Sequence, residues 1–146
     1  MDARRLLIVS VIVAACLATA ECMWIVDSPD LRTASEAVER FHAGVNDSHY
    51  DEVCQTIEPR ALAGTTGLDC RQFLAYVHQH LGNNAESRRV YFRVAPVAEN
   101  GGSKVAMNYT TRFAGGEAKE NFEWHIVGAV ARLTRYHIDA PRLRAQ

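Results

Sequence analysis

The second half of the chain alternates apolar and polar residues over four segments, which three short glycine-containing stretches separate. The segments span 88–97, 104–113, 118–127 and 132–139. A period of two is typical of strands that have one buried face. Asn-Gly and Gly-Gly pairs are typical of two-residue hairpin turns. The sequence therefore predicts a four-stranded antiparallel meander that turns at Asn100-Gly101, Gly115-Gly116 and Gly128-Ala129-Val130.

These three turns also predict which side chains lie opposite each other. The predicted inner-face partners are Phe92 and Tyr109, Val94 and Met107, Tyr109 and Phe122, Met107 and Trp124, Phe122 and Tyr136, and Glu120 and Ile138. Apolar side chains coincide across all four strands, and a one-residue slip would break this agreement. The other face is predicted to be solvated, with mixed charges in rows such as Arg93, Asn108, Glu123 and Arg135.

Residues before the sheet show helical periodicity instead. Apolar side chains recur at three- and four-residue intervals over 34–45, 50–57 and 70–81. Thr33 with Glu36 has the spacing of a capping box, Pro59 ends the second segment, and Asp69 is placed to cap the third. The sequence predicts an α+β fold with three N-terminal helices packed on a curved four-stranded antiparallel sheet.

The N-terminus has the parts of a secretory signal peptide over residues 1–20. Arg4 and Arg5 precede an apolar run from Leu6 to Leu17, and Ala18-Thr19-Ala20 is a small-x-small cleavage site. Two alternatives stay open: an uncleaved anchor that continues to about residue 26, and a lipoprotein with Cys16 as the lipidated residue. All three predict an extracytoplasmic domain, periplasmic or secreted. The expected divisions are a linker at 27–33, one domain at 34–139 and a tail at 140–146.

Cysteine usage agrees with export. Cys54 and Cys70 would close a short loop, and cysteines in an oxidising compartment normally form disulfides. A loop of about 15 residues stabilises a fold by roughly 3 kcal/mol in the chain-entropy account. Two buried free thiols are the alternative. No histidine lies at zinc-site spacing from either cysteine, so we expect no metal site.

Charge and motifs exclude several classes of function. The formal net charge of −1 over 146 residues offers no electrostatic reason to bind nucleic acid. The chain contains no zinc-protease, nucleophile-elbow or phosphate-loop motif, and nothing in it indicates a cofactor.

Several stretches of the chain resemble the nuclear transport factor two-like (cystatin-like) superfamily, especially its small exported bacterial members of unknown function. They are Ala37-Val38-Glu39-Arg40-Phe41, His49-Tyr50-Asp51-Glu52-Val53-Cys54, Asp69-Cys70-Arg71, Glu123-Trp124 and residues 132–138. The resemblance covers about 34–139. It implies a cone whose sheet wraps the helices and can enclose a pocket, and an outer sheet face that can form a homodimer. Relatives often carry tryptophan where this chain has Ala131, which implies looser packing there.

An open cone would be lined by the aromatic side chains of the inner sheet face. They are Phe92, Tyr109, Phe122, Trp124 and Tyr136, which together could hold an apolar ligand. The alternative is that they simply fill the core. Glu120 is a weak catalytic candidate, because burial would raise its pKa and suit it to act as a general base. The alternative for Glu120 is a strand-end carboxylate that reaches water.

We therefore expect an exported, non-enzymatic module that binds a small apolar ligand or an envelope protein. The alternative is a cavity enzyme that performs isomerase- or dehydratase-like acid/base chemistry on a small apolar substrate. In that case Glu120 would be the base, and Tyr109 or Tyr136 would donate a hydrogen bond to the substrate.

Overall fold

The computed structural model describes residues 28–62, 67–99 and 101–144. Its elements are α1 Pro29–Asn46, α2 Tyr50–Gln55, α3 Cys70–Leu81, β1 Asn84–Pro96, β2 Ser103–Phe113, β3 Gly116–Val127, β4 Val130–Asp139 and α4 Pro141–Arg144. The four strands form one antiparallel sheet in sequence order, and α1 packs against all of them. The predicted α+β class and four-stranded antiparallel sheet are confirmed.

The folded part extends further at both ends than the sequence indicates. Helix α1 begins at Pro29, so residues 29–33 form its first turn and are not a linker. Proline is favoured there because the first amides of a helix lack intrahelical partners anyway. At the other end, residues 141–144, expected as tail, form α4. The predicted signal or anchor segment lies outside the described residues, and none of the described helices is long and apolar enough to cross a membrane.

The third helix begins where its capping signal predicts. The Gln72 amide donates to the Asp69 carboxylate at 2.8 Å, and the Asp69 amide donates to the Gln72 side chain at 3.1 Å. Both bonds satisfy amides that the first turn leaves unpaired. Cys54 and Cys70 form the predicted disulfide, with their Cα atoms 6.0 Å apart, and it joins α2 to the start of α3.

The inner face of the sheet carries the predicted side chains. Met107 and Trp124 lie on the same face and are 0% and 1% exposed. In the third hairpin, Phe122 pairs with Tyr136 as expected. The route to that pairing differs, however. The turn is the two-residue Gly128-Ala129 between Val127 and Val130, and the extra residue that the sequence predicts for the loop is Thr134, which bulges from β4 opposite the step from Glu123 to Trp124.

The first two hairpins are shifted by two residues from the predicted pairing. Phe92 pairs with Met107, and Met107 in turn pairs with Phe122. The predicted partners, Tyr109 for Phe92 and Trp124 for Met107, are therefore wrong. A shift of two preserves the face of each side chain in the regular part of the pairing, because the period of a strand is two. The bulge between Arg89 and Tyr91 interrupts this alternation in β1, where Val90 is 51% exposed. On the outer face the same shift puts Ala106 in the row predicted for Asn108.

The free edge of β4 is covered by the chain that follows α2. The Glu58 amide donates to the Leu133 carbonyl at 2.9 Å, and the Leu133 amide donates to the Thr56 carbonyl at 2.9 Å. The Tyr136 amide donates to the Ala61 carbonyl at 3.0 Å. Residues 56–61 thus satisfy backbone groups that would otherwise be open to another strand. They also hold α2 close to β4.

Candidate functional site

Glu120 lies at the centre of the molecule with its side chain completely buried. An ionised carboxylate only accepts hydrogen bonds, and three donors from three different elements surround this one. Its Oε2 accepts from Nε2 of His42 at 2.9 Å and from the Thr111 hydroxyl at 2.5 Å. Its Oε1 accepts from the Tyr136 hydroxyl at 2.6 Å. We call Glu120, His42, Thr111 and Tyr136 the carboxylate network.

The network sets the ionisation of its members. Burial by itself raises the pKa of Glu120, but the hydrogen bond and charge of His42 and the bonds from Thr111 and Tyr136 outweigh it. The pKa of Glu120 therefore lies below its ordinary value. Burial, followed by the neighbouring Glu120 charge, raises the pKa of Tyr136 well above its ordinary value. Glu120 is thus held as the anion and Tyr136 as the neutral donor.

A line of polar side chains connects this network to β1 and the end of α1. The Asn84 side chain donates to the Ser87 hydroxyl at 2.6 Å, and Ser87 lies 3.1 Å from the Thr111 hydroxyl. Asn84 is held in turn by Asn46, which accepts from its backbone amide at 2.8 Å and donates to its carbonyl at 3.1 Å. The Ser87 hydroxyl can donate to Thr111, and Thr111 donates to Glu120. The line therefore orients these donors and fastens α1 to the sheet.

Little space adjoins the carboxylate. The void beside Glu120, His42 and Tyr136 measures about 10 Å³, and a single water needs roughly 10–15 Å³. The expectation that Glu120 reaches water at a strand end is wrong, because its carboxylate points inward. The expected rise in its pKa is also wrong, because the three donors overcome the effect of burial.

The predicted aromatic residues form one packed cluster. Phe122 lies at its centre, with ring centroids 5.8 Å from Tyr109, 4.9 Å from Tyr136 and 6.2 Å from Trp124. Phe41 of α1 packs edge-on against Phe122 at 5.3 Å. Burial raises the pKa of Tyr109, against the opposing charge of Arg89. Phe92 is half-buried, with the Arg89 guanidinium 5.1 Å from its ring centre.

A cavity of about 220 Å³ lies beside this cluster, between α1, α2 and the sheet. Trp124 is the member of the predicted aromatic set that lines it. Its indole Nε1 is buried and has no hydrogen-bond partner among the described residues. The buried and half-buried residues of the lining are apolar or carry no side chain: Ala37, Phe41, Gly44, Val53, Trp124 and Ala131. We call these six residues the apolar floor.

The mouth of the cavity is polar. Four exposed residues line it: Arg40, His49, Glu52 and Thr56. Arg40 comes from α1, and the other three come from α2 and its two caps. None of these four residues is predicted from the sequence to belong to a site. Their only sequence signal is that both helices carry charged residues beside an apolar stripe, which is also true of helices without a site.

Packing explains why the cavity is where it is. Residues 56–61 hold α2 against the edge of β4, and a methyl group at Gly44 would overlap Val53, so α1 and α2 approach closely there. Ala131, at the start of β4, then presents only a methyl group to the space between these elements. The resemblance implied looser packing at Ala131, and the residue lines the cavity.

The described residues contain no group of three or more His, Cys, Asp and Glu side chains placed to hold a metal ion. A scan against protein-family models and a search of curated proteins found no match for this chain.

Proposed function

We propose that this chain is an exported domain that binds a small, largely apolar molecule in the cavity between α1, α2 and the sheet, and that it does not transform that molecule. The cavity of about 220 Å³ is the observation that carries the proposal. Well-packed interiors contain few voids larger than a water molecule, and an engineered apolar cavity of about 150 Å³ binds benzene. The apolar floor and polar mouth are the usual arrangement of a small-molecule site.

The carboxylate network supports binding without catalysis and counts against the alternative of a cavity enzyme. A general base works best when its pKa lies near the working pH and when it can reach the substrate. Glu120 has a lowered pKa, three donors on its two oxygens and a void beside it that holds one water at most. We assign it the role of fastening α1 to the sheet.

Binding of a neutral apolar probe tests this proposal. We expect ethylbenzene to shift the indole ¹H–¹⁵N resonance of Trp124, with Trp24→Phe used to assign the two tryptophan signals. Ala131→Leu adds volume at the apolar floor and should abolish the shift. Val130→Leu is the matched control, because Val130 is 62% exposed and lies outside the cavity lining. Equal binding by both variants would contradict the proposal, and so would a failure of the unmodified protein to bind either this probe or charged phenyl compounds of similar size.

We further propose that residues 1–20 are a cleaved signal peptide and that the fold is the cone-shaped cystatin-like one. The disulfide is consistent with an extracytoplasmic location, and helices preceding one antiparallel sheet support the fold. N-terminal sequencing of the exported protein should begin at Glu21. An uncleaved Met1, or a lipid on Cys16, would favour one of the two alternatives. An envelope-protein partner and a homodimer through the outer sheet face stay predictions, and light scattering tests the second.

A further inference from the structure

Charges of both signs flank the mouth of the cavity and are exposed to solvent. Arg40 contacts Glu36 at 3.7 Å, with both side chains more than half exposed, and such surface pairs contribute little. Glu52 and His49 make no side-chain hydrogen bond or ion pair with other described residues. Arg40 lies on α1 and Glu52 on α2, so the guanidinium and the carboxylate come from the two helices that border the cavity.

We infer that the ligand is a small zwitterion with an apolar side chain, such as an apolar α-amino acid. This inference rests on the proposed function, because it requires the cavity to be a binding site. The apolar side chain occupies the floor against Trp124, the carboxylate of the ligand pairs with Arg40, and its ammonium group pairs with Glu52. Charge-assisted hydrogen bonds of this kind are stronger than neutral ones.

Ligands of other charge fit the mouth less well. An anionic ligand without a basic group would leave Glu52 without a partner. A cationic ligand without an acidic group would leave Arg40 without a partner from the ligand. In either case one of the two charges at the mouth would gain no charge-assisted hydrogen bond from the ligand. A neutral apolar ligand would gain from the floor but from neither charge. Scaled from benzene in about 150 Å³, the cavity holds about nine non-hydrogen atoms, which suits a benzyl or isobutyl group with the charged head at the mouth.

Four probes that share one aromatic ring test the inference on the purified protein. They are L-phenylalanine, 3-phenylpropanoate, 2-phenylethylamine and ethylbenzene, titrated while the Trp124 indole resonance is followed. We expect L-phenylalanine to bind about fivefold or more tightly than either singly charged probe. Equal or tighter binding of a singly charged probe would overturn the inference. Ethylbenzene binding as tightly as L-phenylalanine would overturn it too, while the proposed apolar site would stand. Binding by none of the four would overturn both.

Variants at the mouth test each charge separately. Glu52→Gln should lower the affinity for L-phenylalanine to that for 3-phenylpropanoate and leave the affinity for 3-phenylpropanoate unchanged. Arg40→Gln should lower the affinity for L-phenylalanine to that for 2-phenylethylamine and leave the affinity for 2-phenylethylamine unchanged. Glu39→Gln on the exposed side of α1 and Arg135→Gln on the outer sheet face make the same charge changes away from the cavity, so both should leave all four affinities unchanged. Equal effects of site and control variants would show that only net charge matters and would overturn the inference.

Discussion

Glu120 illustrates how the environment decides the role of one side chain. Its position in the alternating pattern places it on the inner face, where a lone carboxylate would be costly. The cost is offset because His42, Thr111 and Tyr136 all donate to it. The same three bonds that make burial tolerable also lower its pKa and occupy its oxygens, so the residue is unsuited to accept a proton from a substrate.

Replacement of Glu120 should remove an acid-sensitive contribution to stability. The folded-state pKa lies below the ordinary value, so the stabilisation is fully present above the unfolded pKa of about 4.3. It is lost as the pH falls through the folded value. Glu120→Gln should lower the free energy of unfolding by about 3–5 kcal/mol at pH 7. The difference in the free energy of unfolding between the variant and the unmodified protein should decrease as the pH falls from 5 toward 3.

Urea unfolding at several pH values measures that gap. Glu117→Gln, an exposed position on the same strand, is the control and should differ little from the unmodified protein at any pH. A gap for Glu120→Gln that stays constant between pH 5 and 3 would contradict the assignment of a lowered pKa.

Trp124 packs in the core and also lines the cavity. A core role predicts a large loss in the free energy of unfolding when the side chain is removed, and a role in lining alone predicts a small one. The side chain is 1% exposed and its ring is nearly parallel to that of Phe122. Trp124→Ala should therefore lower the free energy of unfolding by about 3–5 kcal/mol, as measured by denaturant titration. Tyr91→Ala, at a half-exposed aromatic on the outer face, should cost less than about 0.5 kcal/mol. A loss below about 1 kcal/mol for Trp124→Ala would mean that the ring contributes little to the core.

Among the secondary-structure elements, the second hairpin turn shows why the observed register differs by two residues from the predicted one. The second turn is Ala114-Gly115, because both amides bond to the end of α3 and the loop after it. Ala114 donates to Asn83 at 3.0 Å, and Gly115 donates to Leu81 at 2.7 Å. A turn-forming pair in the sequence indicates that a turn exists, but a neighbouring helix can select which two residues occupy its tip.

Gly102 is a position where a turn glycine is required for two reasons. Its φ is +82°, and a methyl group there would overlap the Ile126 carbonyl oxygen. Gly101 has a similar φ of +66° but open space around it. Gly101→Ala should lower the free energy of unfolding by about 1–2 kcal/mol, and Gly102→Ala should lower it by more. Thermal and denaturant unfolding measure both, and equal losses would show that the carbonyl overlap is relieved at no cost.

The disulfide between α2 and α3 should stabilise the fold only when it is oxidised. Its sequence separation is 16, and a loop of that size contributes roughly 3 kcal/mol. Cys54→Ser should therefore lower the melting temperature by about 10 °C in oxidising buffer and leave it unchanged in strong reductant. Cys70→Ser and the variant with both substitutions should show the same change in melting temperature as Cys54→Ser. An equal loss in both buffers would indicate that the lost thiol packing, and not the bond, is responsible.

For the molecule as a whole, the cavity lowers stability and leaves space for the proposed ligand. A void forfeits the contacts that its walls would otherwise make. Ala131→Leu should therefore raise the free energy of unfolding of the ligand-free protein by about 0.5–2 kcal/mol while it removes probe binding. Denaturant unfolding without ligand measures this, and Val130→Leu at the exposed neighbour should change little. A loss above about 1 kcal/mol in Ala131→Leu would mean that the space is too small to fill.

Patterns among near neighbours predicted the faces of β2, β3 and β4, the capping of α3, the Cys54–Cys70 pair and the register position of Glu120 on the inner face. Alternation, capping and turn chemistry act over a few residues, so they can be read along the chain. The donors to Glu120 come instead from α1, β2 and β4, and the cavity arises where α1, α2 and the start of β4 fail to fill the space between them. Contacts between residues as far apart as His42 and Glu120 depend on how whole elements pack, and no local pattern encodes that packing.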